Sequence, residues 1–406
     1  MNAPGNILAD RPVSEAAAAA ATPKLSPAVY IAFFGFACLP IGLIWDISHH
    51  STIGRDTFWT PAHILIQLGG IVPALLFTVL ALKLTYHGDV EERAASISFW
   101  GARAPLGVWV TVWGAVAMVT SAPFDDWWHN RYGLDVKIVS PPHAVLGLGM
   151  FAVGMGVLLF LFSAQNRASE NNRRRSGLIC ALAVGVLIAL WADFATEFTW
   201  PNLQHSAKFY YVVATPFPLL LVLAARASRI RAGATLAALT YLAIYIFMIL
   251  ALPLFPAHPK LAPIYHPVDH MLPPAFPILL VVPAVAIDLI AWWFWTRREA
   301  RPETFWKKFW KDWLLAALFA AAFVALVFIV QWPFSAFLLS DAADNRLFAR
   351  SGHWPYFARP GDWMNTFWTS EPDPVTIKTV AFSFCRAWIT SRLGLWIGDY
   401  LHRLKR

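Results

Sequence analysis

Two short stretches of this chain set carboxylates and imidazoles at intervals that suit a metal ion. In the first, Asp46 is followed by His50 four residues later and by His63 thirteen beyond that. In the second, Asp125 is followed by His129 at the same spacing and by His143 fourteen beyond. Residues four apart on a helix lie on one face, about a turn apart. If the next helix folds back as a hairpin, its opening histidine returns to that face. One carboxylate and two imidazoles make a three-ligand site with a position left for water, oxygen or substrate. Pro61 suits a first helical turn, where its missing N–H is harmless, and helps fix where His63 points. Arg55 and Asp56 in the first stretch, and Asp126 or Asp135 in the second, are the groups expected to orient the imidazoles from behind. A lone histidine at a helix end is as often a hydrogen-bonded terminus as a ligand. Two full triads with the same spacing favour metal binding.

Weaker variants follow. Asp193, Glu197 and His205 form a degenerate third set, and His266, Asp269 and His270 a fourth, with His49 beside the first triad. These residues are read as second-rank metal ligands or as the lining of a polar path. His258 reads as a loop residue, and His87, His353 and His402 as solvated.

The elements that must position these groups are helices in lipid. The chain has 406 residues, 58% hydrophobic and 14% charged, where soluble domains carry roughly 25% charge. Nine apolar runs are long enough to cross a membrane: 27–45, 61–86, 105–124, 141–164, 177–193, 209–225, 236–254, 272–295 and 313–332. Backbone polar groups must pair internally in lipid, so runs of this kind are helices. The expected fold is all-α, a polytopic bundle of about nine transmembrane helices built from repeated hairpins. Possible repeats cover 27–104, 105–176, 177–233 and 234–311, within a transmembrane domain spanning 27–332. Residues 1–26 read as a disordered cytoplasmic tail. Residues 333–406 read as a small extracytoplasmic cap carrying an interfacial amphipathic helix at 376–406.

The net charge of +8 is spread over loops, among them Arg173, Arg174, Arg175, Arg229, Arg231, Lys307, Lys308 and Lys311, with no single patch for nucleic acid. Those loops follow even-numbered helices and by the positive-inside rule are cytoplasmic. Nine of the 12 histidines fall at the other face. That arrangement places the chain in a bacterial inner membrane, N-terminus inside and metal loops toward the periplasm. Cys38, Cys180 and Cys385 are too dispersed for a disulfide framework or a thiolate site. Asp288 is read as snorkelling to, or paired with, Arg297 or Arg298. No phosphate-cradling loop or nucleophile elbow is present, which argues against an ATP-driven pump and a serine hydrolase.

The stretch from Asp46 to His63 resembles the metal-site segment of the C subunit of particulate methane and ammonia monooxygenases. The matching features are Asp46, His50, the Arg55-Asp56-Thr57 sequence and the Thr60-Pro61-Ala62-His63 ending. The resemblance covers under 20 residues, and the chain departs from that subunit in its length, its second triad and its outer end. It implies that Asp46, His50 and His63 would ligate copper in a membrane protein of oxygen-dependent hydroxylation, working with other membrane subunits. The leading expectation is an integral membrane metalloprotein, copper-dependent and oxidoreductive, acting on a small apolar or membrane-dissolved substrate, with iron or zinc as other metals. A metal transporter or metal-handling protein is the first alternative. A b-type haem electron carrier using His63 and His143 is the second.

Overall fold

The structure is a computed structural model and describes residues 26–54, 57, 59–94, 96–133, 140–296, 304–350, 352–359 and 373–404. Arg55, Asp56 and Asp135, together with Arg297 and Arg298, lie outside the described residues, as does most of the N-terminal tail.

The chain is an all-α polytopic membrane protein. Its principal helices are α1 (Pro27–Thr52), α2 (Pro61–His87), α3 (Leu106–Tyr132), α4 (Pro141–Arg167), α5 (Glu170–Phe194), α6 (Ala207–Ala227, re-started at Pro216), α7 (Gly233–Ala251), α8 (Val281–Thr296), α9 (Phe305–Leu338) and α10 (Ile377–Arg403). Among the described residues, eight helices are long and apolar enough to cross a membrane, namely α1 to α7 and α9. Between α2 and α3 a two-stranded hairpin, Ile97–Phe99 with Ala102–Ala104, closes the turn.

Helix starts follow from short local signals. Ser26 and Ser140 each accept a backbone N–H into the first turn, from Ala28 and His143, and prolines occupy the opening positions of α1, α2 and α4. The arginines expected beside Asp288 lie outside the described residues. The Asp288 carboxylate accepts from the N–H groups of Ala234 and Thr235 at 3.1 and 2.7 Å, capping α7.

Small residues set the helix crossings, since without water between helices close backbone approach is what packs them. In the first hairpin a Cβ on Gly69 would come 3.1 Å from the Gly35 carbonyl. In the second, Cβ atoms on Gly114 and Gly149 would come 2.9 and 2.8 Å from each other's carbonyls. Gly35 and Gly114 each lie eleven residues before the triad aspartate, and Gly69 and Gly149 each six after the last triad histidine. α5 runs through the centre, with Val184, Ile188, Ala189 and Leu190 fully buried.

Two elements differ from expectation. The run 272–295 is helical only from Val281; before it the chain is extended, because Pro273, Pro274 and Pro277 supply no N–H to a helix. Ile278 N–H instead donates to the Tyr241 hydroxyl and Leu279 N–H to Gln331.

The second difference is α10, which is not an interfacial helix. It runs parallel to α6 over its whole length, from Phe382 against Tyr211, through Gly394 against the Leu219 carbonyl, to the Arg226–Asp399 pair and Arg229 on the His402 carbonyl. It therefore occupies the depth of a candidate span and ends on the side of the basic loops, where Asn166 donates to the carbonyls of Leu401 and Leu404. Lys378, Arg386, Arg392 and Arg403 lower its hydropathy and hide it in the sequence. In the structure its Ser383, Thr390 and Ser391 are buried, and Arg386 donates to the Tyr211 carbonyl.

A candidate metal centre in each of the first two hairpins

α1 delivers Asp46 and His50 on one face, and the hairpin brings His63 back from the first turn of α2. His63 Nε2 lies 3.1 Å from Asp46 Oδ1, and His50 Nε2 lies 3.9 Å from Asp46 Oδ2. α3 and α4 repeat the arrangement: His129 Nε2 and His143 Nε2 each lie 3.5 Å from an oxygen of Asp125. In both triads one ligand atom from each residue falls within 4.8 Å of the others. These are the groupings of this kind found among the described residues.

The backbone orients one imidazole in each. His63 Nδ1 is 3.1 Å from the Thr57 carbonyl, and His129 Nδ1 is 3.1 Å from the Gly133 carbonyl. A carbonyl only accepts, so Nδ1 carries a proton and Nε2 is the atom that faces the aspartate. A lone pair facing a carboxylate is repulsive unless Nε2 is protonated or a cation lies between them. Carbonyl support behind a ligating imidazole is the usual arrangement at metal sites.

The separations also suit one ion. Two ligand atoms at about 2.0–2.2 Å from a metal lie no more than about 4.4 Å apart, and the four distances above fall within that. Asp46 Oδ1 is buried, receives no hydrogen bond from the described residues and faces His63.

Each helix that ends in a triad is terminated by glycine at the same offset. Gly54 and Gly133 stand eight residues after Asp46 and Asp125, with φ of 81° and 88°, a left-handed conformation that side chains disfavour. Each N–H returns to a carbonyl of the last turn, that of His49 or His129. This glycine, like the crossing glycines, is a signal the sequence carried and the ligand pattern alone did not use.

The remaining candidates do not converge. His49 packs edge-on to His50 outside the triad. Asp126, expected behind the second triad, is exposed and accepts from Asn130. The third set is split: Asp193 is buried and bonded to Tyr245, Glu197 is exposed, and His205 contacts the Trp332 carbonyl at 3.0 Å. Burial holds the His205 imidazole below its ordinary pKa, against the opposing effect of that carbonyl. In the fourth set Asp269 pairs with His270 at 2.6 Å, which lowers the acid's pKa, while His266 N–H is tied to the Tyr356 carbonyl. Trp59 and Trp127, beside the two triads, are exposed.

No protein-family model, curated protein or solved structure matches this chain. The functional reading therefore rests on the two triads and their supports.

Two histidines expected to be solvated are not: His402 is half-buried, with its Nδ1 out of contact with solvent. His353 is 4% exposed and stacks on Trp200 with ring centroids 5.5 Å apart. Burial pushes its pKa down to about 4, outweighing the Ala349 carbonyl bond that favours the charged form. Nothing in the spacing around His353 marks it.

Proposed function

We propose that this chain is a membrane metalloprotein holding one ion at Asp46, His50 and His63 and a second at Asp125, His129 and His143. The observation that carries the reading is the pair of triads, each with an imidazole whose Nε2 is aimed at the aspartate by a backbone carbonyl. The mixed imidazole and carboxylate set suits copper, iron or zinc, and intrinsic affinity among divalent ions favours copper. With the local resemblance described above, copper and oxygen-dependent oxidation of a small apolar or membrane-dissolved substrate is the reading we adopt. A copper ion would supply redox chemistry and an open coordination position. The protein's own part is to hold each aspartate between two imidazoles, to fix the tautomer of His63 and His129, and to leave one side open. His50 is the open side of the first triad, with 49% of its side chain exposed against 16% for Asp46.

The matched glycines before, between and after the ligands support an origin of the two hairpins by duplication. The distribution of arginine and lysine favours triads on the periplasmic side of a bacterial inner membrane, and partner subunits belong to the same proposal by resemblance. Transport fits less well, because the weaker polar sets do not form a continuous ligand path beyond the triads. A bis-histidine haem fits less well too, because His63 and His143 each face their own aspartate.

Elemental analysis and electron paramagnetic resonance on the purified full chain test the proposal. Copper or iron near two equivalents, with one lost in His50→Ala and a different one in His143→Ala, supports it. A preparation that binds no metal, or only zinc indifferent to both changes, overturns it. A Soret band would replace it with the haem carrier.

A further inference from the structure

A cavity of about 40 Å³ lies between α1, α5, α7 and the extended segment 272–278, away from both triads. A water needs roughly 10–15 Å³ of such space, so there is room for a small ion with one or two waters. α1 has two working faces: Asp46 and His50 look toward α2, while Ser48 and Ser51 line the cavity.

The decisive group is Asp193, which lines this cavity and is 4% exposed. Its Oδ1 accepts from the Tyr245 hydroxyl at 2.7 Å, and its Oδ2 is buried with no hydrogen bond from the described residues. Neither lysine nor arginine is among the described residues lining the cavity, and the one histidine there, His353, is held neutral by burial with its Nδ1 on the Ala349 carbonyl. A carboxylate in these surroundings must be protonated or have a cation beside it.

The opposite wall favours the cation. Pro273, Pro274 and Pro277 have no N–H to offer, so the backbone of this stretch carries more acceptors than donors. The segment is pinned at its ends, by Ser48 Oγ on the Leu272 carbonyl and by Tyr241 and Gln331 on the N–H groups of Ile278 and Leu279. Non-helical backbone at membrane depth occurs where it is buried in protein or lines a cavity, and unwound carbonyls there coordinate small cations. The lining is rich in oxygen groups beside Asp193, from Tyr245, Tyr241, Thr196, Thr199, Ser48 and Ser51, a hard set with a single negative charge, while its ring nitrogens are those of Trp200 and neutral His353.

The geometry points to a binding site for one monovalent cation of sodium size, neutralising Asp193 and bridging α5 and α7 to the extended segment. This site is independent of the metal reading of the triads.

The test is thermal unfolding of the full chain in lipid nanodiscs, titrated with sodium chloride against choline chloride at constant ionic strength. The wild type is expected to gain several degrees, saturably, with sodium and not with choline. Asp193→Asn is expected to lose that response while keeping its triad metal. His63→Ala is expected to keep the sodium response, which separates this site from the triads. Should Asp193→Asn fold poorly, Tyr245→Phe retains the carboxylate, and its sodium midpoint should rise several-fold. A wild type indifferent to sodium, or an unchanged midpoint in Tyr245→Phe, overturns the proposal. So does an infrared band of a protonated carboxyl, missing in Asp193→Asn, that persists at saturating sodium.

Discussion

The two triads use the same ligands at nearly the same spacing, above the same glycine crossing and before the same left-handed glycine, yet they are supported differently. In the first, the loop carbonyl orients the histidine that opens the returning helix; in the second, it orients the histidine that closes the outgoing one. The first is also covered: Tyr356 N–H donates to the Ser51 carbonyl, Lys260 N–H to that of Ile53, and Gly54 lies under the Tyr356 ring. α3 packs mainly on its two neighbours, α2 and α4, at the edge of the bundle. The hairpin thus builds the cluster, and the loops decide which ligand is held and which is left to move.

Removing the central carboxylates breaks the comparison most severely. Asp46→Ala and Asp125→Ala should each weaken metal binding at one triad by about 100-fold or more and leave the other filled, since a ligand and its orienting contacts go together. Competition with a chelator, followed by metal analysis, would read this. Loss of both metals from either change would show a shared centre.

Acid should act on the cover of the first hairpin. His353 is neutral when folded and is protonated in the unfolded chain below about pH 6.5. Its pKa in the fold is lowered to about 4, so the stability it contributes is present above pH 6.5 and is lost as pH falls toward 4. The loss reaches about 3 kcal/mol at most. Denaturant unfolding should show a pH dependence in this window that is flatter in His353→Gln. Identical slopes would remove His353 as the cause.

The crossings should respond unequally. A Cβ on Gly114 would meet the Val153 N and Gly149 carbonyl at 2.7 and 2.9 Å, which are backbone atoms, whereas on Gly69 it first meets a Leu39 methyl at 2.5 Å. Gly114→Ala should destabilise by about 1–3 kcal/mol, and Gly69→Ala by less, as Leu39 turns aside. Equal losses would mean the first crossing is as rigid as the second. Smallest of all, Asp126→Asn should leave metal content unchanged and shift stability by no more than about 0.5 kcal/mol. A lost equivalent of metal would return Asp126 to the second triad.

What was legible in the sequence was whatever local spacing determines. Asp46 with His50 and Asp125 with His129 share a helix face by the period alone, and prolines announced where α2 and α4 begin. What was hidden depends on partners distant in sequence. α10 looked interfacial because its arginines were weighed as if facing lipid, while the structure sets Arg386 on Tyr211 and pairs Asp399 with Arg226. His353 looked solvated because nothing nearby shows that Trp200 covers it. Asp193 was grouped with Glu197 and His205 by proximity in sequence, although the helix turns them to different surroundings.

The polarity of α10 bears on how the protein is made. Each arginine or lysine at the centre of a lone helix opposes its entry into a bilayer by about 2.5–3.5 kcal/mol, so α10 is a poor substrate for insertion on its own. Its small face, with Gly394 against the Leu219 carbonyl and Gly398 against Arg226, fits a groove that exists only once α6 and its neighbours have assembled. Stable placement of α10 at this depth is therefore expected to depend on the packing of α6 and its neighbours.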